Sequence, residues 1–218
     1  MTTASGSELP VARARRRPSR AAPLTALAIL VVAGFLTWYL VSRPQLVFMN
    51  ALAAPIWLTA GQNPPATLDP RKTRRLNIPR GNALVVEWNL ARPLSANQRP
   101  MGEELRGSAV VRASGGKVVQ SASARSADAD YFAPLITNAT GNLLRITVNA
   151  GLEGAVDCGC AIRPGARRVF IGYYHLYQNS TVTARDDKGR RATFRDLGRQ
   201  VVSADGTIGL KFESKDLR

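Results

Sequence analysis

Apolar and polar positions divide the chain near residue 42. A run without any charged residue covers 21–41 (AAPLTALAILVVAGFLTWYLV), and a helix of that length, rising about 1.5 Å per residue, spans roughly the 30 Å hydrocarbon core of a bilayer. The run is longer than the apolar part of a cleaved signal peptide, and no small-residue cleavage site follows Trp38. The pattern therefore predicts a single N-terminal transmembrane helix that acts as an uncleaved signal anchor.

After residue 44 the apolar positions occur in short or alternating runs, such as ALVVEWNL (83–90), separated by Gly, Pro, Asn and Asp. Many short runs with this punctuation predict β-strands. Turn residues predict three hairpins, at Ser114–Gly116, at Asp205–Gly206 and over 186–191. We expect an all-β region of one or two small β-sandwich, immunoglobulin-like domains.

The all-β region contains an internal repeat. Residues 47–59 align without gaps on 135–147 when Asn50 is matched to Asn138, and each copy runs apolar strand, Asn-Ala, short turn and second strand. Each copy is followed by a proline turn and paired arginines. The repeat predicts a loop position outside the core for the cysteine-containing segment. It also suggests a division into a first domain or half and a second one, over 44–100 and 101–218.

Charge is distributed unevenly along the chain. The protein has 30 Lys and Arg residues against 15 Asp and Glu residues, a formal net charge of +15. Residues 1–20 hold five arginines and one glutamate without an apolar period, which predicts a disordered basic tail. This bias predicts a cytoplasmic N-terminus and an extracytoplasmic C-terminal region. For a chain with this orientation in the cell membrane we expect no nucleic acid as a partner.

The two cysteines of the chain, Cys158 and Cys160, are separated only by Gly159. An exported compartment is oxidising and permits a disulfide, and the glycine allows the tight turn that such close residues need. The alternatives are an intermolecular bridge, two free thiols or a copper(I) site, since copper(I) prefers soft thiolates. His175, the sole histidine, is the candidate third metal ligand. We favour the disulfide.

The membrane helix, the exported β region and the Cys-x-Cys motif together resemble part of the plan of the copper-delivery proteins of cytochrome oxidase assembly. That family combines one N-terminal transmembrane helix with an exported immunoglobulin-like domain and a Cys-x-Cys motif in a β context. The resemblance implies that Cys158 and Cys160 are ligands of a copper ion. The aromatic residue that the family places after each cysteine is missing, because Gly159 and Ala161 stand there.

Two further segments are candidate contact surfaces. The cluster RKTRR offers contacts to an anionic polymer or to lipid head groups, although such a run is commonly a solvated strand edge; the residues are Arg71, Lys72, Arg74 and Arg75. The aromatic stretch 172–181 (GYYHLYQNST) could be a binding platform. We prefer a half-buried strand on which His175 packs beside tyrosines.

These features predict a function in the cell envelope without catalysis. No partner pattern for a nucleophile accompanies His175, and no phosphate-binding or metal-hydrolase motif occurs, so we expect neither an enzyme nor a cofactor. The chain is expected to be a single-pass membrane-anchored protein whose exported β-sandwich region is a binding or scaffolding module. Its partner would be another envelope protein or an anionic envelope polymer. The alternative function is copper(I) handling or thiol redox through Cys158 and Cys160.

Overall fold

The computed structural model describes seven stretches of the chain: 21–41, 43–79, 81–113, 116–125, 129–152, 154–201 and 203–218. The chain divides into two compact units, 1–42 and 43–218. The basic tail predicted over 1–20 lies outside the described residues.

One α-helix, α1, runs from Ala21 to Val41, which are the bounds of the uncharged run. Its side chains are described from residue 27 to residue 39, and most of them are apolar on every side of the helix. The hydroxyl of Thr37 donates to the carbonyl of Ala33 at 2.8 Å, so its proton is hydrogen-bonded within the helix. Over the residues whose side chains are described, no helix is long and apolar enough to cross a membrane. The transmembrane span stays a prediction.

The second unit contains fifteen strands within the described ranges. The first half comprises β1 (Gln45–Asn50), β2 (Ile56–Ala60), β3 (Asn63–Leu68), β4 (Thr73–Asn77), β5 (Leu84–Leu90), β6 (Arg106–Val111) and β7 (Lys117–Ala122). The second half comprises β8 (Tyr131–Ala139), β9 (Leu144–Val148), β10 (Val156–Ile162), β11 (Val169–Phe170), β12 (Tyr174–His175), β13 (Val182–Arg185), β14 (Arg191–Phe194) and β15 (Thr207–Glu213). One 3₁₀ turn, Leu197–Arg199, lies between β14 and β15, and a second, Ser214–Asp216, follows β15. The all-β prediction for the region after residue 44 is confirmed.

The strands form four sheets, two in each half. The first half has the orders β4-β1-β7 and β3-β2-β5-β6, and the second half has β10-β9-β13-β14 beside a sheet in which β8 pairs with β11, β12 and β15. Along β5 every second side chain points inward, so that Leu84, Val86, Trp88 and Leu90 are buried. The inward side chains of the two sheets meet in one hydrophobic cluster per half. Each half is therefore β-sandwich-like.

The two halves repeat one scheme of strand pairing. The first strand of each half pairs in parallel with the last, β1 with β7 and β8 with β15. The second strand pairs antiparallel with the strand after it and with a later one: β2 with β3 and β5, and β9 with β10 and β13. Strand β2 at 56–60 and strand β9 at 144–148 differ by the same 88 positions as Asn50 and Asn138. The alignment read from the sequence thus matches a repeated architecture.

Asn50 shows why the repeat carries an asparagine at this place. It is fully buried, and its side chain closes the turn between β1 and β2. The Nδ2 group donates to the carbonyls of Ala54 at 2.9 Å and Leu68 at 2.8 Å, and Oδ1 accepts from the N–H of Leu52 at 3.0 Å. One amide thereby ties the turn to the end of β3.

Asn138 makes the corresponding bonds in the second half. Its Nδ2 donates to the carbonyls of Asn142 at 2.8 Å and Ile162 at 2.9 Å, and its Oδ1 accepts from the N–H of Thr140 at 2.9 Å. In each half the two acceptors are the carbonyl four residues along the chain and the carbonyl at the end of the second strand after the asparagine, β3 for Asn50 and β10 for Asn138. Only a side chain with both a donor and an acceptor can make this pattern.

One of the three predicted hairpins forms as predicted. The turn over 186–191 joins β13 to β14, which pair antiparallel. The segment at Ser114–Gly116, of which 114 and 115 lie outside the described residues, connects β6 to β7. Those strands belong to different sheets, so a hairpin there was wrong. Asp205–Gly206 leads into β15, whose described partner is the parallel strand β8, and this hairpin prediction was wrong as well.

Strand pairing continues past the predicted division at residue 100. Strand β6 pairs with β5, and β7, which ends at Ala122, pairs with β1. The hydrophobic cluster of the first half therefore includes Val111 and Ala122. The division of the region into separate domains stays a prediction.

Candidate functional site

Cys158 and Cys160 lie in the edge strand β10 and not in a loop. Asp157 of β10 pairs with Thr147 of β9, and Ala161 pairs with Arg145. Between these two pairs β10 has three residues and β9 has only one. The motif therefore forms a bulge, and its two sulfurs are joined in a disulfide with the Cα atoms 5.2 Å apart. The predicted position outside the core was wrong, because Cys158 is 2% exposed and packs in the hydrophobic cluster of the second half.

Local hydrogen bonds shape this bulge. Gly159 has a φ of 62°, a conformation that glycine adopts without cost. Its N–H donates to Oδ1 of Asp157 at 3.0 Å, and the N–H of Cys160 points at Sγ of Cys158 at 3.2 Å. Among the described residues, no three His, Cys, Asp or Glu side chains are grouped so that they could hold a metal ion. The copper alternative stays a prediction.

His175 lies at the junction of the two halves. Its ring is 4.4 Å from that of Tyr131 and 6.3 Å from that of Tyr177, measured between centroids. Its Nε2 is 3.9 Å from Oε1 of Glu103, and Oε2 of the same carboxylate accepts the backbone N–H of His175. These polar and ring contacts are not with the cysteines. They match the preferred interpretation of the aromatic stretch, a strand on which a histidine packs beside tyrosines.

The loop before β6 packs closely against the segment before β12. Gly102 and Gly172 have φ values of 81° and 110°, and a Cβ atom on Gly102 would stand 2.6 Å from the carbonyl oxygen of Tyr173. Side chains larger than glycine are therefore excluded at this contact. Backbone of the first half and backbone of the second half touch here without any side chain between them.

Tyr173 fastens the same junction through its side chain. It belongs to the second half but is fully buried in the hydrophobic cluster of the first. Its hydroxyl accepts from the N–H of Ala53 at 2.8 Å and donates to the carbonyl of Asp205 at 2.7 Å. Burial raises the pKa of this hydroxyl far above its usual range, so it remains a donor at all ordinary pH values. The halves are thus held as one unit.

The predicted basic cluster does not share one face. Arg74 and Arg75 are neighbours on β4, whose side chains alternate between the two sides of the sheet. Arg74 is half-buried and donates to the carbonyl of Pro64 at 3.1 Å, whereas Arg75 is exposed. Arg71 and Lys72 are exposed in the turn before the strand. Their contact with an anionic surface stays a prediction.

A different set of arginines is brought together by the sheet β10-β9-β13-β14. Arg185 of β13 stands directly opposite Arg145 of β9 on one side and opposite Arg191 of β14 on the other. All three are exposed, and we call them the arginine row. Sequence reasoning missed it, because the three arginines come from segments that show no common motif and meet only through the register of the strands.

A row of threonines runs beside the arginine row. Thr147, Thr183 and Thr193 are opposite one another two residues along the same strands, and so face the same side of the sheet. The hydroxyls of Thr183 and Thr193 are 3.0 Å apart and share a hydrogen bond. On the outer strand β10, Asp157 stands opposite Thr147. Within this sheet it is the carboxylate nearest in register to the two rows, whereas Glu213 and Asp216 border a cavity beside Thr193.

The equivalent sheet of the first half carries an exposed tryptophan in place of an arginine. Trp57 of β2 stands opposite Asn89 of β5, which stands opposite Arg106 of β6. Trp57 is 52% exposed and borders a shallow cavity of about 370 Å³ whose lining also includes Thr59 and Glu87. We call this surface the Trp57 face. It was not among the candidate sites predicted from the sequence.

The chain matches no protein-family model and no curated protein.

Proposed function

We propose that the protein is a single-pass membrane protein of the cell envelope whose exported region is a non-enzymatic binding or scaffolding module. The uncharged run forms one helix over 21–41, and arginines are concentrated before it, a distribution that keeps the N-terminus in the cytoplasm. Each half of the exported region would be an immunoglobulin-like sandwich, since short strands in two sheets enclose one core.

The Trp57 face is the observation that carries the binding role. A half-exposed tryptophan on the outer side of a sheet contributes a large apolar surface to water, as the aromatic anchors of protein contact surfaces do. Glu87, Asn89 and Arg106 surround it with hydrogen-bonding groups. An aromatic anchor within a polar rim is the usual composition of a protein's binding surface.

The junction of the halves supports a scaffolding role. Because Gly102 touches Gly172 and Tyr173 crosses into the first core, the sheets of both halves keep a fixed arrangement. A partner that contacts both outer faces would meet preformed surfaces, which lowers the entropic cost of binding.

The orientation can be tested with reporters fused after Arg218. A reporter that is active only outside the cytoplasm should be active, and replacing the arginines at 13, 15, 16 and 17 by Glu should scramble the orientation. Activity of a cytoplasmic reporter on the unchanged chain would contradict the proposal.

The binding role can be tested by co-sedimentation of the full chain, in detergent, with the insoluble envelope fraction of the cells that produce it. The unchanged protein should sediment with this material. Trp57→Ala should weaken the association by about 30-fold if the tryptophan is a central anchor worth roughly 2 kcal/mol. Val119→Ala is the matched control, because Val119 is 63% exposed on the other sheet of the same half. Absence of co-sedimentation would exclude the function, and equal effects of both variants would exclude the Trp57 face.

The disulfide bulge supports thiol redox as a second candidate. Cys160 is partly exposed on an edge strand, while Cys158 is buried, so one sulfur of the pair can be reached by an attacking thiolate. The purified protein should show no free thiol before reduction. After reduction, uptake of one copper(I) ion that is lost in both Cys158→Ser and Cys160→Ser would favour the copper alternative. Free thiols without uptake would exclude both.

A further inference from the structure

The arginine row contains like charges where a sheet disfavours them. Side chains directly opposite on neighbouring strands have Cβ atoms about 5 Å apart, and like charges in such pairs are destabilising. Arg185 has a like-charged neighbour on both sides, Arg145 and Arg191. A chain that keeps this arrangement gains no stability from it in the absence of a ligand.

No carboxylate within the sheet neutralises the row. In the described part of the chain, none of the three arginines makes an ion pair. Asp186 follows Arg185 directly, but its carboxylate is buried and bonded to the guanidinium of Arg190 at 2.8 Å. Hydrogen bonds from Arg190 hold the pKa of Asp186 below its usual range despite its burial, which by itself would raise the pKa. The carboxylate of Asp186 is therefore paired with Arg190 and does not neutralise the arginine row.

The architecture does not require the row. The equivalent positions of the first half hold Trp57, Asn89 and Arg106 on the same three strands of the repeated scheme. Only the arginine of the last strand is common to both halves. The other two arginines are therefore a property of the second half's surface and not of the fold.

We propose that the arginine row and the threonine row bind a linear, phosphate-bearing polymer of the cell envelope. Three guanidinium groups on strands about 4.8 Å apart form a line of positive charge about 10 Å long, which suits an extended polyanion better than one small ion. Arginine forms paired hydrogen bonds with phosphate oxygens. A tetrahedral phosphate has further oxygens for the threonine hydroxyls, and the hydroxyl that accepts in the Thr183–Thr193 pair still has its own proton to donate.

This inference deepens the proposed function and rests on it, since an envelope polymer is met only by an exported region. Polymer that lies across the strands would contact Arg145, Arg185 and Arg191 in turn. Asp157, on the outer strand β10, marks the side on which the polymer would leave the sheet, because its charge repels phosphate.

The test is binding of the full chain, in detergent, to fluorescently labelled long-chain inorganic polyphosphate. Replacing Arg145, Arg185 and Arg191 together by Gln should weaken binding about tenfold, because each exposed charge pair contributes a factor of about two to three. It should also reduce the salt dependence of binding. The control variant also loses three positive charges, but from the basic cluster predicted from the sequence: Arg71, Lys72 and Arg75 are replaced by Gln. It should lose about twofold or less.

Each other outcome overturns the inference. Equal losses in both variants would show that net charge alone attracts the polymer, and no loss would show that the row is not the site. Tighter row-dependent binding to phosphatidylglycerol vesicles than to polyphosphate would make a lipid surface the ligand. If the Gln variant unfolds, the three Lys replacements preserve charge and remove paired bonding, and undiminished binding by that variant would contradict the proposed geometry.

Polyphosphate binding and co-sedimentation together distinguish a failure of the inference from a failure of the proposed function. Row-dependent binding of polyphosphate without co-sedimentation with envelope material would leave the binding site intact and overturn the envelope function. Co-sedimentation that is unchanged in the Gln variant would leave the function intact and overturn the arginine row as its site.

Discussion

Replacing Asn50 by Ala tests whether the repeated asparagine holds each half together. The side chain is fully buried and makes three hydrogen bonds, with Ala54, Leu68 and Leu52. Alanine removes all three and leaves the backbone groups of the turn without their partner. With about 1 kcal/mol for each bond, the free energy of unfolding should fall by about 3 kcal/mol. That is a large share of the roughly 5–15 kcal/mol typical of a folded protein.

Urea unfolding of the full chain, followed by the fluorescence of the buried Trp88, measures this loss. With a denaturant slope of about 2 kcal/mol per molar, the midpoint should fall by about 1.5 M. Asn138→Ala should cause a loss at least as large, because Oδ1 of Asn138 accepts the hydroxyl of Thr140 at 2.7 Å in addition to the three corresponding bonds. Asn77→Ala is the matched control, since Asn77 is exposed on β4 and should cost less than about 0.5 kcal/mol. A loss at Asn50 no larger than at Asn77 would refute the structural role of the repeat.

Three further outcomes follow from the fold. The fragment 44–218 should be soluble without the helix and give a circular dichroism spectrum dominated by β-structure; more than about one third helix would contradict the strand assignment. Gly102→Ala should unfold at clearly lower temperature, because the new Cβ would stand 2.6 Å from the carbonyl oxygen of Tyr173, whereas Gly141→Ala, with nothing within 4 Å, should be nearly neutral. Hydrogen bonds, acting against burial, lower the pKa of Asp186, so its contribution to stability is present above the ordinary Asp pKa of about 4 and is lost as the pH falls further. Asp186→Asn should destabilise the protein at pH 7, and the difference from the unchanged protein in urea midpoint should disappear in acid; a constant difference would refute this.

Much of the fold followed from periodicity. Alternation of apolar and polar residues in ALVVEWNL depends only on the two-residue period of a strand, and Leu84, Val86 and Trp88 are buried as that alternation indicates. The repeat was visible for a related reason. Asn50 and Asn138 make bonds within a few residues along the chain as well as across the sandwich, so the surrounding sequence repeats with them.

Two hairpin predictions failed because turn chemistry describes only a bend. A glycine-rich turn shows that the chain changes direction, but not which strand the next segment joins. Strand β7 pairs in parallel with β1, and β15 in parallel with β8. Both partners lie more than sixty residues earlier in the chain, so no local signal for these pairings exists at the turns.

For the candidate sites, too, the sequence determined local features and the tertiary structure determined the rest. The sequence determined that Cys158 and Cys160 are close enough to be bonded, since one residue separates them. It did not determine that Cys158 is in the core, because that depends on a bulge in β10 and on what packs beneath it. The position of His175 among Tyr131 and Glu103 likewise depends on how the two halves join.

The sequence by itself determined the uncharged run at 21–41, the β character of the remainder and the repeated asparagine, because each is set by residues near one another in the chain. Only the tertiary structure decided the arginine row. Each arginine of the row belongs to a different segment of the chain, and no sequence motif distinguishes it. A shift of one residue in the register of any strand would turn its arginine to the opposite side of the sheet. Strand register is fixed by the buried side chains beneath the row, such as Ile146 and Ala184, and so the surface chemistry is a consequence of the packing of the core.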